Sequence, residues 1–119
     1  MPARIVVVLK DRELADATVS ALVADGHDAL AVHDSMVALA LLKQATDIEL
    51  LVASTYFGRG KPTGAALALM TKLRRPDLKV IFTANPELVP LLEDIGRVIV
   101  EPISPSLVVE AIRVTMTAG

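Results

Sequence analysis

The chain lacks cysteine and tryptophan and is poor in aromatic residues, which make up 3% of its 119 residues. Without cysteine it can form neither disulfide bonds nor thiolate metal sites. A flavin is commonly held by stacking against aromatic side chains, and few of these are present. We therefore expect no bound cofactor.

The chain also lacks a large charge excess and a long apolar run. Its 12 Lys and Arg residues and 14 Asp and Glu residues give a formal net charge of −2, which disfavours a nucleic-acid surface built on bulk positive charge. The apolar run at residues 5–9 is too short for a signal peptide. No stretch approaches the roughly 18 apolar residues of a membrane span. We expect a cytoplasmic protein that binds neither nucleic acid nor a membrane.

Hydrophobic residues are nonetheless abundant, at 53%, while charged residues account for 22%. This composition supplies a buried core and is not typical of a disordered chain. The length fits one domain, which we place at residues 1–119.

Short apolar runs alternate with segments of helical periodicity. The first run is rich in β-branched residues, which is typical of a strand buried on both faces of a parallel sheet. Strands are predicted at residues 5–9, 29–32, 48–53, 78–82 and 98–100. Helices are predicted at residues 14–23, 36–45, 65–75, 86–94 and 105–116. This alternation predicts an α/β domain with a parallel sheet and helices on both faces.

The carboxyl ends of the strands are where open sheets of this kind place ligands and chemistry. The segments at these ends are residues 9–11, 54–64, 83–85 and 101–102. The glycine spacing in the loop at 54–64 matches neither the dinucleotide-binding nor the P-loop pattern. In that loop, Arg59 and Lys61 could bind an anion, but we expect them to be solvated.

These segments resemble the receiver domains of bacterial response regulators, the signalling domains of two-component systems. Gly64 stands where the family has the glycine that opens its third helix, and residues 73–84 are similar to the passage from that helix into the fourth strand. Residues 101–104, Glu-Pro-Ile-Ser, stand where receivers have Lys-Pro-Phe-Ser or a similar run. The resemblance covers nearly the whole chain. It implies a three-layer (βα)5 flavodoxin-like fold with strand order 2-1-3-4-5.

The magnesium-binding residues of the family are missing from this sequence. Receivers hold the ion with two acidic residues after the first strand, where this chain has Leu9 and Lys10, and only Asp11 nearby is acidic. Magnesium prefers oxygen ligands in octahedral geometry, which leucine and lysine do not supply. We therefore expect that Mg²⁺ binding is lost and that the domain has no metal site.

The phosphorylation machinery of the family is replaced as well. Ser54 stands where receivers carry the phosphorylated aspartate, and Glu101 stands where they carry a lysine. A serine hydroxyl is a weak nucleophile without an activating base. Thr83 is the one working residue that is unchanged. The resemblance thus implies a degenerate pseudo-receiver that is not an enzyme. In it we expect Ser54 to be a small polar filler and Thr83 to bond locally, to backbone or to Ser54.

The charges at two of these positions look exchanged, because lysine replaces an acid at Lys10 and glutamate replaces the lysine at Glu101. In the family these positions face each other across the site. We predict that Lys10 and Glu101 form an ion pair between the ends of the first and fifth strands.

A protein-binding surface is also expected. Receivers commonly use the face made by the fourth helix, fifth strand and fifth helix for dimers or targets, and this region is rich in apolar residues. The predicted interaction face comprises Leu88, Leu92, Val98, Val109 and Ile112. The expected partner is a sensor kinase, a downstream regulator or a second copy.

Two alternatives stay open at this point. An active receiver could use another acceptor, such as Ser54, or bind metal in an unusual way through Asp11. A flavodoxin-like enzyme or cofactor binder could share the fold, because fold alone does not fix function.

Overall fold

Parallel strands and helices alternate along the computed structural model, which describes residues 4–45 and 47–117. The strands are β1 (Arg4–Val8), β2 (Asp28–Val32), β3 (Leu50–Ser54), β4 (Lys79–Ala84) and β5 (Arg97–Val100). The helices are α1 (Arg12–Ala24), α2 (Ser35–Gln44), α3 (Gly64–Arg74), α4 (Val89–Leu92) and α5 (Pro105–Thr117). Within the described residues, no helix is both long and apolar enough to cross a membrane.

The five strands form one parallel sheet in the order β2-β1-β3-β4-β5. The predicted fold class and strand order are therefore confirmed. β3 lies at the centre between β1 and β4, and β2 and β5 are the two edges. All the strand carboxyl ends consequently meet along one side of the sheet.

Side-chain oxygens cap α1, α2 and α3 and fix where each of these helices begins. Asp11 accepts from the Leu14 N–H at 3.0 Å, and Asp34 accepts from the Met36 N–H at 2.8 Å. Thr63 caps α3 in the same way. Each cap satisfies a backbone donor that the first turn of a helix leaves without a partner.

Alternate residues of the central strands point to opposite faces of the sheet, as the strand period of two requires. Ile5 and Val7 pack in the core layer beneath α1 and α5, whereas Val6 and Val8 pack in the layer beneath α2, α3 and α4. Both faces are covered, so the middle residues of these strands are apolar.

Most predicted boundaries differ from the structure by one or two residues, and the differences at the end of β1 and in the fourth helix change what lies at the site. β1 ends at Val8, and Leu9 follows it as a fully buried residue outside the strand. The helix predicted at 86–94 is a 3₁₀ turn (Pro86–Leu88) followed by the single turn of α4. Pro86 and Pro90 lack the N–H groups that a regular helix uses, which accounts for the short segment.

The predicted interaction face is partly wrong. Leu92 and Ile112 are only 3% and 1% exposed, because they belong to the core layers on opposite faces of the sheet. Leu88, Val98 and Val109 are half-buried and pack against the same layers. The large exposed apolar side chains of this region are instead Leu91, Val100, Leu107 and Val114.

Candidate functional site

The carboxyl edge of the sheet carries the residues that the sequence placed there. Lys10 follows β1, Ser54 ends β3 opposite Thr83 of β4, and Glu101 follows β5. These four side chains line a cavity of about 230 Å³. A second cavity of about 560 Å³ shares them and adds Leu9 and Asp11. The structure therefore brings all six predicted site positions together.

The start of α3 approaches the end of β3 closely, next to Ser54 and Thr55 of the site. The Gly64 N–H donates to the Thr55 carbonyl at 3.0 Å. A Cβ atom on Gly64 would lie only 2.0 Å from the carbonyl oxygen of Ser54. Glycine is thus required at the start of α3 for the helix to approach the end of the central strand.

Ser54 has a structural role in this edge. Its hydroxyl oxygen accepts a hydrogen bond from the Lys10 backbone N–H at 3.0 Å and so joins the ends of β1 and β3. The side chain is half-buried. No histidine is among the residues that line the two cavities. The hydroxyl therefore has no imidazole base beside it to raise its nucleophilicity.

The predicted ion pair between Lys10 and Glu101 is not formed. Both side chains line the same cavity, yet within residues 4–45 and 47–117 no direct contact joins them. The Lys10 ammonium instead lies 5.9 Å from the centroid of the Tyr56 ring, near enough for a cation–π interaction. Lys10 and Glu101 are exposed, and water weakens the attraction that would draw two such charges together.

Tyr56 is the site residue that sequence reasoning missed. It lines the smaller cavity and places its ring beneath the lysine. It is one of very few aromatic residues in the chain and lies two positions after Ser54. Its position in the 54–64 segment and its closeness to Ser54 are the sequence signals that point to it.

Asp11 serves as a helix cap and not as part of an acidic pair. One of its carboxylate oxygens accepts from Leu14 at the start of α1. Leu9, beside it, is buried and offers no ligand oxygen, and Lys10 brings a positive charge. Among the residues described, no group of three or more His, Asp or Glu side chains could hold a metal ion. These residues do not fit the magnesium site that the fold implies.

Thr83 is buried, at 4% exposure, and lines both cavities. Its backbone carbonyl accepts from the Thr55 hydroxyl at 2.9 Å. The local hydrogen bond predicted for its own hydroxyl, to backbone or to Ser54, is not found within the part of the chain that the structure describes. The Thr83 side chain therefore keeps its hydrogen-bonding capacity at the cavity wall.

The loop after β3 is anchored beside the site by an ion pair. Lys61 Nζ lies 3.1 Å from Asp34, the N-cap of α2. The hydrogen bond from the Met36 N–H, helped by Lys61, holds the pKa of Asp34 below its usual value. Lys61 is thus engaged within the domain, whereas Arg59 is exposed.

Solved structures share this architecture. A response regulator receiver protein from Sinorhizobium medicae aligns with a TM-score of 0.82 at 17% identity, covering 98% of this chain and 96% of that one. The chain has the receiver-domain fold. NtrX from Brucella abortus aligns with a TM-score of 0.82 at 20% identity, covering 99% of this chain. The receiver-like chain spans about a quarter of the NtrX chain, 27%.

A third similar structure belongs to a streptococcal family described as redox sensors that evolved from two-component response regulators. It aligns with a TM-score of 0.83 at 17% identity and covers 98% of this chain and 52% of that one. No protein-family model and no curated protein matches the sequence. At these identities the likeness establishes the fold, and function has to be argued from the site.

Proposed function

We propose that this domain is a receiver-like signalling module that is not phosphorylated on aspartate and acts by binding other proteins. The observation that carries this proposal is the composition of the cavity at the carboxyl edge. It is lined by Lys10, Ser54, Thr83 and Glu101, with Leu9 and Asp11 beside them. Active receivers carry two metal-binding acids, an acceptor aspartate and a lysine in this place.

Electrostatics argue against phosphoryl transfer here. The positive charge of Lys10 would repel a divalent cation. The nearby carboxylate of Asp11 already accepts a hydrogen bond from the backbone of α1. A phosphoryl group would meet the carboxylate of Glu101, and no metal would offset that repulsion. Each replacement therefore removes an attraction that the family's chemistry needs, and two of them introduce a repulsion.

The surface formed by α4, β5 and α5 supports a role in protein binding. Leu91 is 70% exposed, and Val100 and Leu107 also present large parts of their side chains to solvent. Exposed apolar side chains grouped on one surface often mark an interaction site. We propose that this surface contacts a sensor kinase, a downstream regulator or a second copy of the domain.

Phosphoryl uptake provides the first test. The protein is incubated with Mg²⁺ and acetyl phosphate and analysed by intact mass, and separately titrated with beryllofluoride while amide NMR shifts are recorded. We expect no mass gain and no shifts at Thr83 or Ser54. The variant K10D/S54D/E101K, which leaves the buried Leu9 untouched, is the matched comparison. A labile acyl phosphate on the natural chain would contradict the proposal.

The same experiment separates the alternatives. Acid-stable phosphate at Ser54 would favour an active receiver with a serine acceptor, although this hydroxyl is half-buried and bonded to Lys10. A coloured protein, or a nucleotide released on denaturation, would favour a flavodoxin-like cofactor binder. A colourless, unmodified protein leaves the binding module as the favoured function.

Association is tested by sedimentation velocity over a range of concentrations. If a second copy occupies the α4-β5-α5 surface, L91D should reduce association. V23D, on α1 and at a position that is 54% exposed, is the control that should not. Concentration-independent monomers would leave a kinase or regulator as the partner on this surface.

A further inference from the structure

The outer faces of α2 and α3 are apolar although both helices lie at the surface. Met36 is 51% exposed on α2, and Met70 and Leu73 are 41% and 85% exposed on α3. A surface helix normally turns charged and polar side chains to solvent, and a helix that is apolar all round is normally buried. The exposed apolar faces of these two helices are therefore typical of a surface that another molecule covers.

The two helices enclose a shallow groove of about 190 Å³. Its apolar lining comes from Leu39 and Leu42 of α2 and from Met70 and Leu73 of α3. Leu39 and Lys43 both line the groove and lie four residues apart, and Met36 precedes Leu39 by three residues, so the three side chains form one stripe on α2. We call this stripe, with Met70, Leu73 and Arg74 opposite, the α2–α3 groove.

The charge of the α2–α3 groove is positive, against the sign of the whole chain. Neither helix contains an acidic residue, although the chain has 14 and a net charge of −2. Lys43 and Arg74 lie among the residues lining the groove, and the Arg74 guanidinium donates to the backbone carbonyl of Lys43. The cations thus stand at the carboxyl ends of both helices, at one end of an apolar floor.

We propose that the α2–α3 groove binds an amphipathic helix of a partner protein whose apolar face is flanked by acidic residues. Two neighbouring helices with an apolar floor offer the geometry into which a third helix packs through residues spaced i, i+3 or i+4, and i+7. The flexible, polarisable Met36 and Met70 side chains adapt to such a face. Acidic residues at one end of the partner helix meet Lys43 and Arg74.

A second copy of the chain fits this groove less well. A two-fold symmetric dimer through the groove would place the α2 and α3 surfaces of the two copies against each other. Neither helix contains an acidic residue that could pair with the Lys43 and Arg74 of the other copy, so the positive charge of the groove would stay unmatched. The inference concerns a surface other than α4-β5-α5, and it does not depend on the loss of phosphorylation.

A displayed library of helical peptides tests the proposal, with the full chain as bait. We expect enriched peptides to carry an apolar i, i+3/i+4, i+7 stripe and a net negative charge. Binding of the best peptide, measured by fluorescence anisotropy, should weaken about tenfold or more in M70S/L73S, a change typical of interface anchor residues. K43E should also weaken it, and should do so less at high salt.

Matched controls keep the outcome clear. Leu73 is almost fully exposed, so its replacement leaves the fold intact, which circular dichroism checks. L91S removes another largely exposed leucine, 70% exposed, from the α4-β5-α5 surface and should not change peptide binding. The proposal would be overturned by the absence of any enriched peptide, by enriched peptides without an acidic bias, or by binding that M70S/L73S leaves unaffected. A dimer that M70S/L73S dissolves would overturn it in favour of a second copy. None of these results bears on phosphoryl uptake.

Discussion

Replacing Gly64 by alanine is expected to destabilise the domain by about 2–3 kcal/mol, the upper part of the range for overpacked sites. The added Cβ would stand 2.0 Å from the Ser54 carbonyl oxygen, 3.0 Å from its carbon and 3.3 Å from the Ala53 Cβ. These atoms belong to the central strand β3, which β1 and β4 hold on both sides. The strand therefore cannot move aside alone, and α3 has to shift.

The magnitude follows from two opposing effects. Overpacking costs about 1–3 kcal/mol and occasionally more, and a backbone contact this short belongs at the top of that range or above it. Alanine is the better helix former by up to about 1 kcal/mol, which offsets part of the loss. The remainder corresponds to a drop in Tm of roughly 10 °C for a domain of this size.

Urea unfolding followed by circular dichroism measures this change. G26A is the control, because Gly26 has a φ of +91° and nothing within 4 Å of an added Cβ. Its cost comes from backbone strain alone, about 1 kcal/mol, and should be smaller. If G64A lost less than about 0.5 kcal/mol, the typical scatter of a neutral surface change, the close approach of α3 to β3 would be refuted.

Three further predictions concern the site and its surroundings. D34A should lower the urea midpoint at neutral pH. The pKa of Asp34 is lowered in the folded protein, so the ionised carboxylate stabilises the fold at pH values above the pKa of a free aspartate, about 3.9. This stabilisation is lost as the pH falls through the folded pKa. Equal urea midpoints for D34A and the natural chain at neutral pH would contradict this. I112A should cost about 2–5 kcal/mol in the same assay because the side chain is fully buried, whereas L107A, at an exposed position, should cost far less. E101Q should leave the urea midpoint unchanged, since Glu101 makes no direct ion pair with Lys10 among the described residues; a clear loss would point to an indirect coupling of the two charges.

Local patterns were sufficient to predict the elements and the edge that carries the site. Apolar runs identify strands because both faces of a parallel sheet are buried. The caps Asp11 and Asp34 are local features too, because a short side-chain oxygen accepts from a free backbone N–H two or three residues further along the chain. Parallel strands bring their carboxyl ends to one side, so Lys10, Ser54, Thr83 and Glu101 had to converge.

Only the tertiary structure decided which side of each element faces the core and which partner each exposed charge takes. The sequence-based prediction placed Leu92 and Ile112 on an exposed interaction face. The orientation of their helices on the sheet turns both side chains into the core instead. The Lys10 ammonium lies near the Tyr56 ring and not against Glu101. A long, solvated side chain can reach several groups, and the folded chain determines which of them lies nearest. The sequence alone determined the order of elements through short-range periodicity, whereas helix rotation and side-chain pairing depend on contacts between residues far apart in the chain.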